Sequence, residues 1–275
     1  MNGGAIDGPR RTALFDGTRP LKRWRYVAIF SEELMACAAL VRIGPLRQSF
    51  WALHLRDGGP VREHTRLVPR RGEVELTAGG AGAPGRLRVR DRGVELDVEL
   101  DEDDGFQARC ANGRSEVWTR KQAGIAARAT LSLDGGRART LDMLAVVDDT
   151  AGYHTRETEW WWTAGVGHGV DGLPLAWNLV SGVNDPVSGS ERAVWRGGRP
   201  TEAPPVSFAS DLLSIVCRDG SELSFTAEVQ RSRHDNLLLL ASDYRAPFGT
   251  FSGALPGGVE LADGLGVVEH HRARW

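Results

Sequence analysis

Arg86–Gly105 reads RLRVRDRGVELDVELDEDDG, and the spacing of its apolar residues decides the fold. Leu87 and Val89 alternate with arginines, Arg92-Gly93 breaks the run, and Val94, Leu96, Val98 and Leu100 then alternate with acids. Side chains that switch faces at every residue belong to half-buried strands, and a two-residue break ending in Gly joins two such strands as a hairpin. The acidic tract Asp101–Gly105 closes the unit. The same grammar recurs at Ala126–Leu133 before Asp134-Gly135-Gly136, and at Leu212–Cys217 before Asp219-Gly220 and Glu222–Glu228. Short alternating strands cut by Gly turns predict an all-β meander, closed into barrels or a sandwich. The 34 glycines suit turns and would destabilise helices. Only Glu32–Val41 has a helical pattern, with Ser31 as a cap and Leu34, Ala38 and Val41 on one face; a strand pair fits the same string.

The chain has 275 residues, 41% of them hydrophobic and 25% charged, which allows one large β domain or two halves of about 135 residues. A seam near Arg137–Asp142 divides it into 1–139 and 140–275. The formal net charge of −2 gives no general attraction to nucleic acid or to an acidic membrane. The many arginines are interleaved with acids, as on solvated strand faces. Cys37, Cys110 and Cys217 stand far apart without CxxC spacing, so they read as small buried hydrophobes rather than a metal or disulfide framework. The Gly-rich stretch Met1–Arg11 lacks an apolar targeting core, and no uncharged apolar run reaches membrane-spanning length. A cytoplasmic monomer or homodimer is expected, with no metal, no cofactor, no nucleic acid and no membrane span.

The most aromatic stretch, Tyr153–Thr163, reads YHTRETEWWWT. Alternation places His154, Arg156, Thr158, Trp160 and Trp162 on one face, and Thr155, Glu157, Glu159 and Trp161 on the other. An apolar body carrying fixed polar groups describes a cavity wall. Tryptophans filling a barrel bottom, with His and Arg at its rim, would give the same string. Gly167–Gly172 is a formal GxGxxG, but the strand-like LPLAWNLV follows it, so the expectation is a hairpin turn and not a dinucleotide site. Asn184-Asp185-Pro186 signals a loop. Trp177, Asn178, Glu191 and Trp195 follow on neighbouring strands, with Glu191 and Trp195 sharing a face. The final VVEHHRARW alternates Glu269, His271, Ala273 and Trp275 against His270, Arg272 and Arg274, the pattern of a strand that closes a barrel.

The strings LKRWRYV (Leu21–Val27), WTRKQ (Trp118–Gln122), DDTAGYHTRETEWWWTAGVG (Asp148–Gly167), AWNLVSG (Ala176–Gly182), ERAVW (Glu191–Trp195) and VEHHRARW (Val268–Trp275) together resemble a lipocalin-like domain-of-unknown-function family of actinobacteria and related bacteria. That family is distantly similar to the double-calycin group of carotenoid 1,2-hydratase, AttH-like proteins and fungal decalin-forming cyclases. The resemblance implies two antiparallel calycin barrels side by side, with a pocket in or between them. Matching motifs nominate Lys121, Asp148, Asp149, His154, Arg156, Thr158, Trp160, Trp162, Asn178, Glu191 and Glu269. Two functions fit an apolar small-molecule ligand. One is acid-assisted hydration, isomerisation or cyclisation of an isoprenoid- or polyketide-like substrate. There Asp148 or Asp149 would be the acid, Glu191 its substitute, Trp160 and Trp162 the wall facing a cation, His154 the holder of water and Arg156 a polar anchor. The other is a non-catalytic carrier or sensor. Successive strand residues face opposite ways, so only one of Asp148 and Asp149 is expected in the pocket, the other capping a turn at Thr150–Gly152.

Overall fold

The computed structural model describes residues 13–80, 83–237 and 240–274, and no helix occurs among them. A short ribbon of β1 (Phe15–Asp16) and β2 (Arg19–Pro20) precedes the first large sheet. That sheet contains β3 (Lys22–Phe30), β4 (Leu34–Ile43), β5 (Leu46–Leu55), β6 (Arg62–Arg66), β7 (Val74–Thr77), β8 (Gly85–Asp91), β9 (Val94–Leu100), β10 (Phe106–Asn112), β11 (Ser115–Leu133) and β12 (Arg139–Gly152). The second contains β13 (Glu157–Gly169), β14 (Pro174–Ser181), β15 (Ala193–Arg196), β16 (Arg199–Glu202), β17 (Val206–Phe208), β18 (Ser214–Cys217), β19 (Glu222–Leu237), β20 (Leu240–Leu255) and β21 (Val259–Arg274).

The two sheets share one strand order. The first runs β6-β5-β4-β3-β12-β11-β9-β8-β7 and the second β16-β15-β14-β13-β21-β20-β19-β18-β17. In each, three strands meander outward from the first long strand and the last strand returns to pair with it. Each sheet curls until β4 approaches β7, or β14 approaches β17. The architecture is two antiparallel calycin-like barrels side by side, as expected. β21 pairs with both β13 and β20, so the C-terminal strand does close its sheet. The chain passes from one sheet to the other across 153–156. The division read at 139/140 therefore falls at the start of β12, which pairs with β3 and β11 of the first sheet.

Strand alternation explains why so much of the chain is apolar on both faces. β3 turns Val27 and Ile29 into the first barrel, and Tyr26, Ala28 and Phe30 toward the second. β14 turns Leu175, Trp177 and Leu179 into the second barrel, and Ala176 and Val180 toward the first. Three apolar layers result, one inside each barrel and one at the seam between them. Full burial of one such side chain stabilises by about 1.5–3 kcal/mol, so both the barrels and their contact are held by many increments.

The same double burial overturns the helical reading of Glu32–Val41. Leu34–Ala39 is buried at every position, with Leu34, Ala36 and Ala38 in the barrel and Met35, Cys37 and Ala39 at the seam. A strand covered on both faces loses its period of two. Ser31 does accept hydrogen bonds from the backbone N–H of Glu33 and Leu34, but the turn it secures leads into a strand. The Gly-rich string after Trp162 also departs from expectation. β13 continues through Gly165, Gly167 and Gly169, and only 170–173 form the hairpin turn. A Cβ on Gly165 would collide with the Trp177 ring, and one on Gly167 with the Asp263 carbonyl. These glycines permit close packing rather than turning. All three cysteines are buried and free.

Candidate active site

At one end of the seam the apolar layer opens into a cavity of about 210 Å³, roughly seven times a water molecule's share of liquid volume. Both barrels build it with their outer faces. β3 supplies Lys22, Trp24 and Tyr26, at successive same-face positions; β12 supplies Asp148, and β13 supplies Trp160 and Trp162. β11 bends at a bulge between Ala123 and Ile125, where Gly124 has a φ of +74°. Its first part pairs with β10 and carries Lys121 into the cavity.

Lys121 holds one end of the site. Its Nζ lies 2.6 Å from Asp148 Oδ1 and 3.3 Å from Glu191 Oε1. Asp148 also accepts from Trp24 Nε1 at 3.1 Å and from Thr150 Oγ1 at 2.9 Å. Glu191 accepts from Asn184 Nδ2 at 3.0 Å. Burial opposes the charge on Lys121, but Asp148 and Glu191 outweigh it and hold the ammonium above its usual range. Burial also raises Glu191, reinforced by the Asp148 charge and only partly offset by Lys121. Asn178 braces this end from behind. It accepts from Trp162 Nε1 and donates to the Glu191 carbonyl, both at 2.8 Å.

Glu269 marks the other end. Its Oε1 accepts from Trp160 Nε1 at 2.8 Å. Burial lifts its carboxyl to about 7, against the lowering effect of hydrogen bonds from Trp160 and Tyr244. Beside it, His271 Nε2 lies 2.8 Å from Ser242 Oγ, and its ring sits 4.3 Å from Trp160. Burial, then the neighbouring charges of His270, Lys22 and Arg231, push His271 down to about 3. His154 is likewise depressed to about 3 by burial and by Lys22 and Lys121, and its Nε2 is buried without a hydrogen-bond partner. Burial brings the Lys22 amine down to about 6. Arg231 reaches across the seam, donating to Glu63 at 2.7 Å and Thr65 at 2.9 Å, and lies 4.0 Å over the Phe50 ring.

Of the residues read from the sequence, Lys121, Asp148, His154, Trp160, Trp162, Glu191 and Glu269 line this one cavity. The register of Tyr153–Thr163 is as expected where it faces inward. Glu157 is exposed and Glu159 turns away to pair with His270 at 2.9 Å and Arg272 at 3.0 Å. Arg156 is exposed in the passage between sheets and does not reach the cavity. Thr158 is buried but donates to the Thr155 carbonyl at 3.1 Å. Trp177 fills the second barrel and donates to Thr163, while Trp195 packs against Phe106 within the seam. Asp149 is corrected in both respects. It points away from the cavity, and it caps no turn, because 150–152 continue β12. Its carboxylate instead takes Arg25 and Arg120 at 2.8 and 2.7 Å at the mouth of the first barrel. Asn184 belongs to its loop and also to the site. Trp275 lies outside the described residues.

Sequence reasoning missed Lys22, Trp24, Tyr244, His271 and Arg231 as wall residues. The alternation in LKRWRYV was a usable signal for Lys22 and Trp24, and that in VEHHRARW for His271. Nothing local to Arg231 or Tyr244 says that β19 and β20 reach over a seam made with the other half.

The chain belongs to the family described as Domain of unknown function (DUF2804), which matches residues 111–275, more than half its length. No curated protein matches the chain. Among solved structures it is similar to an AttH-like protein from Nitrosomonas europaea, with a TM-score of 0.61 and 14% identity over 98% of this chain and 97% of that one. Kievitone hydratase from Nectria haematococca gives a TM-score of 0.59 at 10% identity, over 90% and 88%. CghA gives 0.52 at 9% identity, over 100% and 96%. At such identities the likeness is one of fold, and the fold is the double-calycin arrangement.

Proposed function

We propose that this protein is an enzyme that uses acid–base chemistry on an apolar, isoprenoid- or polyketide-like small molecule in the cavity between its barrels, by hydration, isomerisation or cyclisation. The observation that supports this most strongly is Glu269, a buried carboxyl brought to about 7 beside an indole wall. A group that titrates near the working pH both gives and takes protons efficiently. In the hydration version, Glu269 protonates one alkene carbon, and Trp160 and Trp162 present π faces to the cation formed. A water held at His154 Nε2 adds to the other carbon and sheds its proton to a carboxylate of the site, for a net addition of H₂O. Asp148, which accepts on both oxygens, serves as acceptor and as partner to Lys121. The acid role thus moves from the Asp148/Asp149 pair to Glu269, with Glu191 as the second candidate.

A carrier needs no acid, so Glu269 separates the two readings. Organic extraction of the purified protein and mass spectrometry identify a bound molecule, and turnover is then followed in wild type and Glu269→Gln. Loss of turnover by about 10²-fold or more with nearly unchanged affinity is expected for removal of a general acid. Ligand binding without turnover in the wild type would favour the carrier.

A further inference from the structure

The chain contains 34 Lys and Arg residues, and only two of them, Lys22 and Lys121, are Lys. Both are buried and both line the cavity. Everywhere else a cation is wanted, guanidinium supplies it. Arg never gives up its proton in a protein, whereas Lys does, and the neutral amine is a nucleophile. The two lysines hold different positions on the cavity wall. Lys121 sits between Asp148 and Glu191 and stays an ammonium, its lone pair taken by the proton. Lys22 enters at the start of β3, opposite Gly152 and Ile43 on the neighbouring strands, with its side chain 2% exposed. It is close enough to His154 and His271 to depress both. The partnerless Nε2 of His154 lines the same cavity.

We propose that Lys22 is a covalent binding site for a carbonyl group, so that the ligand is an apolar aldehyde or ketone held as an iminium. The amine lone pair attacks the carbonyl carbon, and the C=O π pair goes to oxygen, which takes a proton from the medium. The carbinolamine then loses water, giving R₂C=NH⁺–Lys22 and H₂O from R₂C=O, the amine and one proton. His154 Nε2 is the hydrogen-bonding group for the departing oxygen. Burial supports the nucleophile, since it brings the amine to about 6. An iminium would also draw electrons from an adjacent alkene, the electronic demand that conjugate hydration or cyclisation requires. This proposal rests on the cavity being the ligand site.

The test uses citral, an apolar aldehyde, with sodium cyanoborohydride to fix any iminium, and peptide mass spectrometry to locate the adduct. Quenching of tryptophan fluorescence by citral alone reports occupancy of the Trp24–Trp160–Trp162 wall. A saturable adduct on Lys22, on the order of a hundredfold or more above Lys121, is expected at neutral pH. Lys22→Met should abolish it while citral still quenches. Because mapping is done on the wild type, a poorly folding variant does not spoil the result. Quenching without an adduct on Lys22, or equal labelling of both lysines, overturns the covalent site and leaves the cavity reading standing. Neither quenching nor adduct contradicts both.

Discussion

Asp148 and Asp149 are neighbours in β12, and the two ion networks they join make the sharpest contrast in the molecule. Asp149 meets Arg25 and Arg120 at the mouth of the first barrel, and both arginines also reach Glu102. Two guanidiniums face two carboxylates, and each carboxylate takes both arginines. Asp148 faces the seam, where Lys121 stands between two carboxylates and a raised Glu269 lies in the same cavity. The first network balances two cations against two carboxylates; the second opens onto a cavity. A barrel mouth needs cohesion, and Arg gives it. Groups that exchange protons need lysine, carboxyls and imidazoles whose charge is close to being lost.

The largest expected effect comes from the central cation. Lys121→Met leaves Asp148 and Glu191 buried together without compensation, and should cost about 3–5 kcal/mol in urea unfolding. Arg25→Met leaves Asp149 with Arg120, and should cost roughly 1–3 kcal/mol. Equal losses would erase the distinction between the networks. Next come the two aspartates themselves. Asp148→Asn should lower turnover about tenfold or more, as expected when a charged hydrogen bond worth 1.5–3 kcal/mol is weakened, whereas Asp149→Asn should affect stability and leave turnover intact.

The pH dependence of thermal unfolding separates the networks further. His154 and His271 have native values near 3 against 6.5, so the unfolded chain binds their protons first and stability falls as pH drops from about 6.5 toward 3. Lys22, near 6 against 10.5, adds stability as pH rises through that interval. Glu269 has the opposite sign: its native value of about 7 exceeds 4.5, so its contribution is lost as pH rises from 4.5 through 7. Glu269→Gln should therefore steepen the rise of the unfolding temperature with pH in that window, and His154→Gln should flatten it below 6.5. The smallest effect belongs to Arg156→Ala, an exposed change expected to stay within about 0.5 kcal/mol and to leave ligand affinity unaltered.

Local chemistry made the strands and turns legible. Arg92 and Asp134 adopt φ of 51° and 52°, each followed by a Gly at positive φ, as their Gly-containing turn strings demand. Within the strands, alternation also put Trp160 with Trp162, and Glu269 with His271, on one wall. The seam itself was not legible. A strand shows that it has two faces, but not that the outer face of one barrel will be buried by another, and so Leu34–Ala39 could pass for a helix. Trp177 and Trp162 look alike in sequence, yet one fills a barrel and the other lines the cavity. Arg156 shares the inward parity of its neighbours but lies before β13 begins, where alternation no longer governs direction.

The crystal structure of the protein carrying an apolar ligand, retained or soaked, tests the location of the site most directly. The ligand is expected in the seam, against Trp24, Trp160 and Trp162, with Glu269 and His154 within reach of its functional groups. Density for it inside either barrel, with the seam cavity empty, would contradict the placement of function between the two halves.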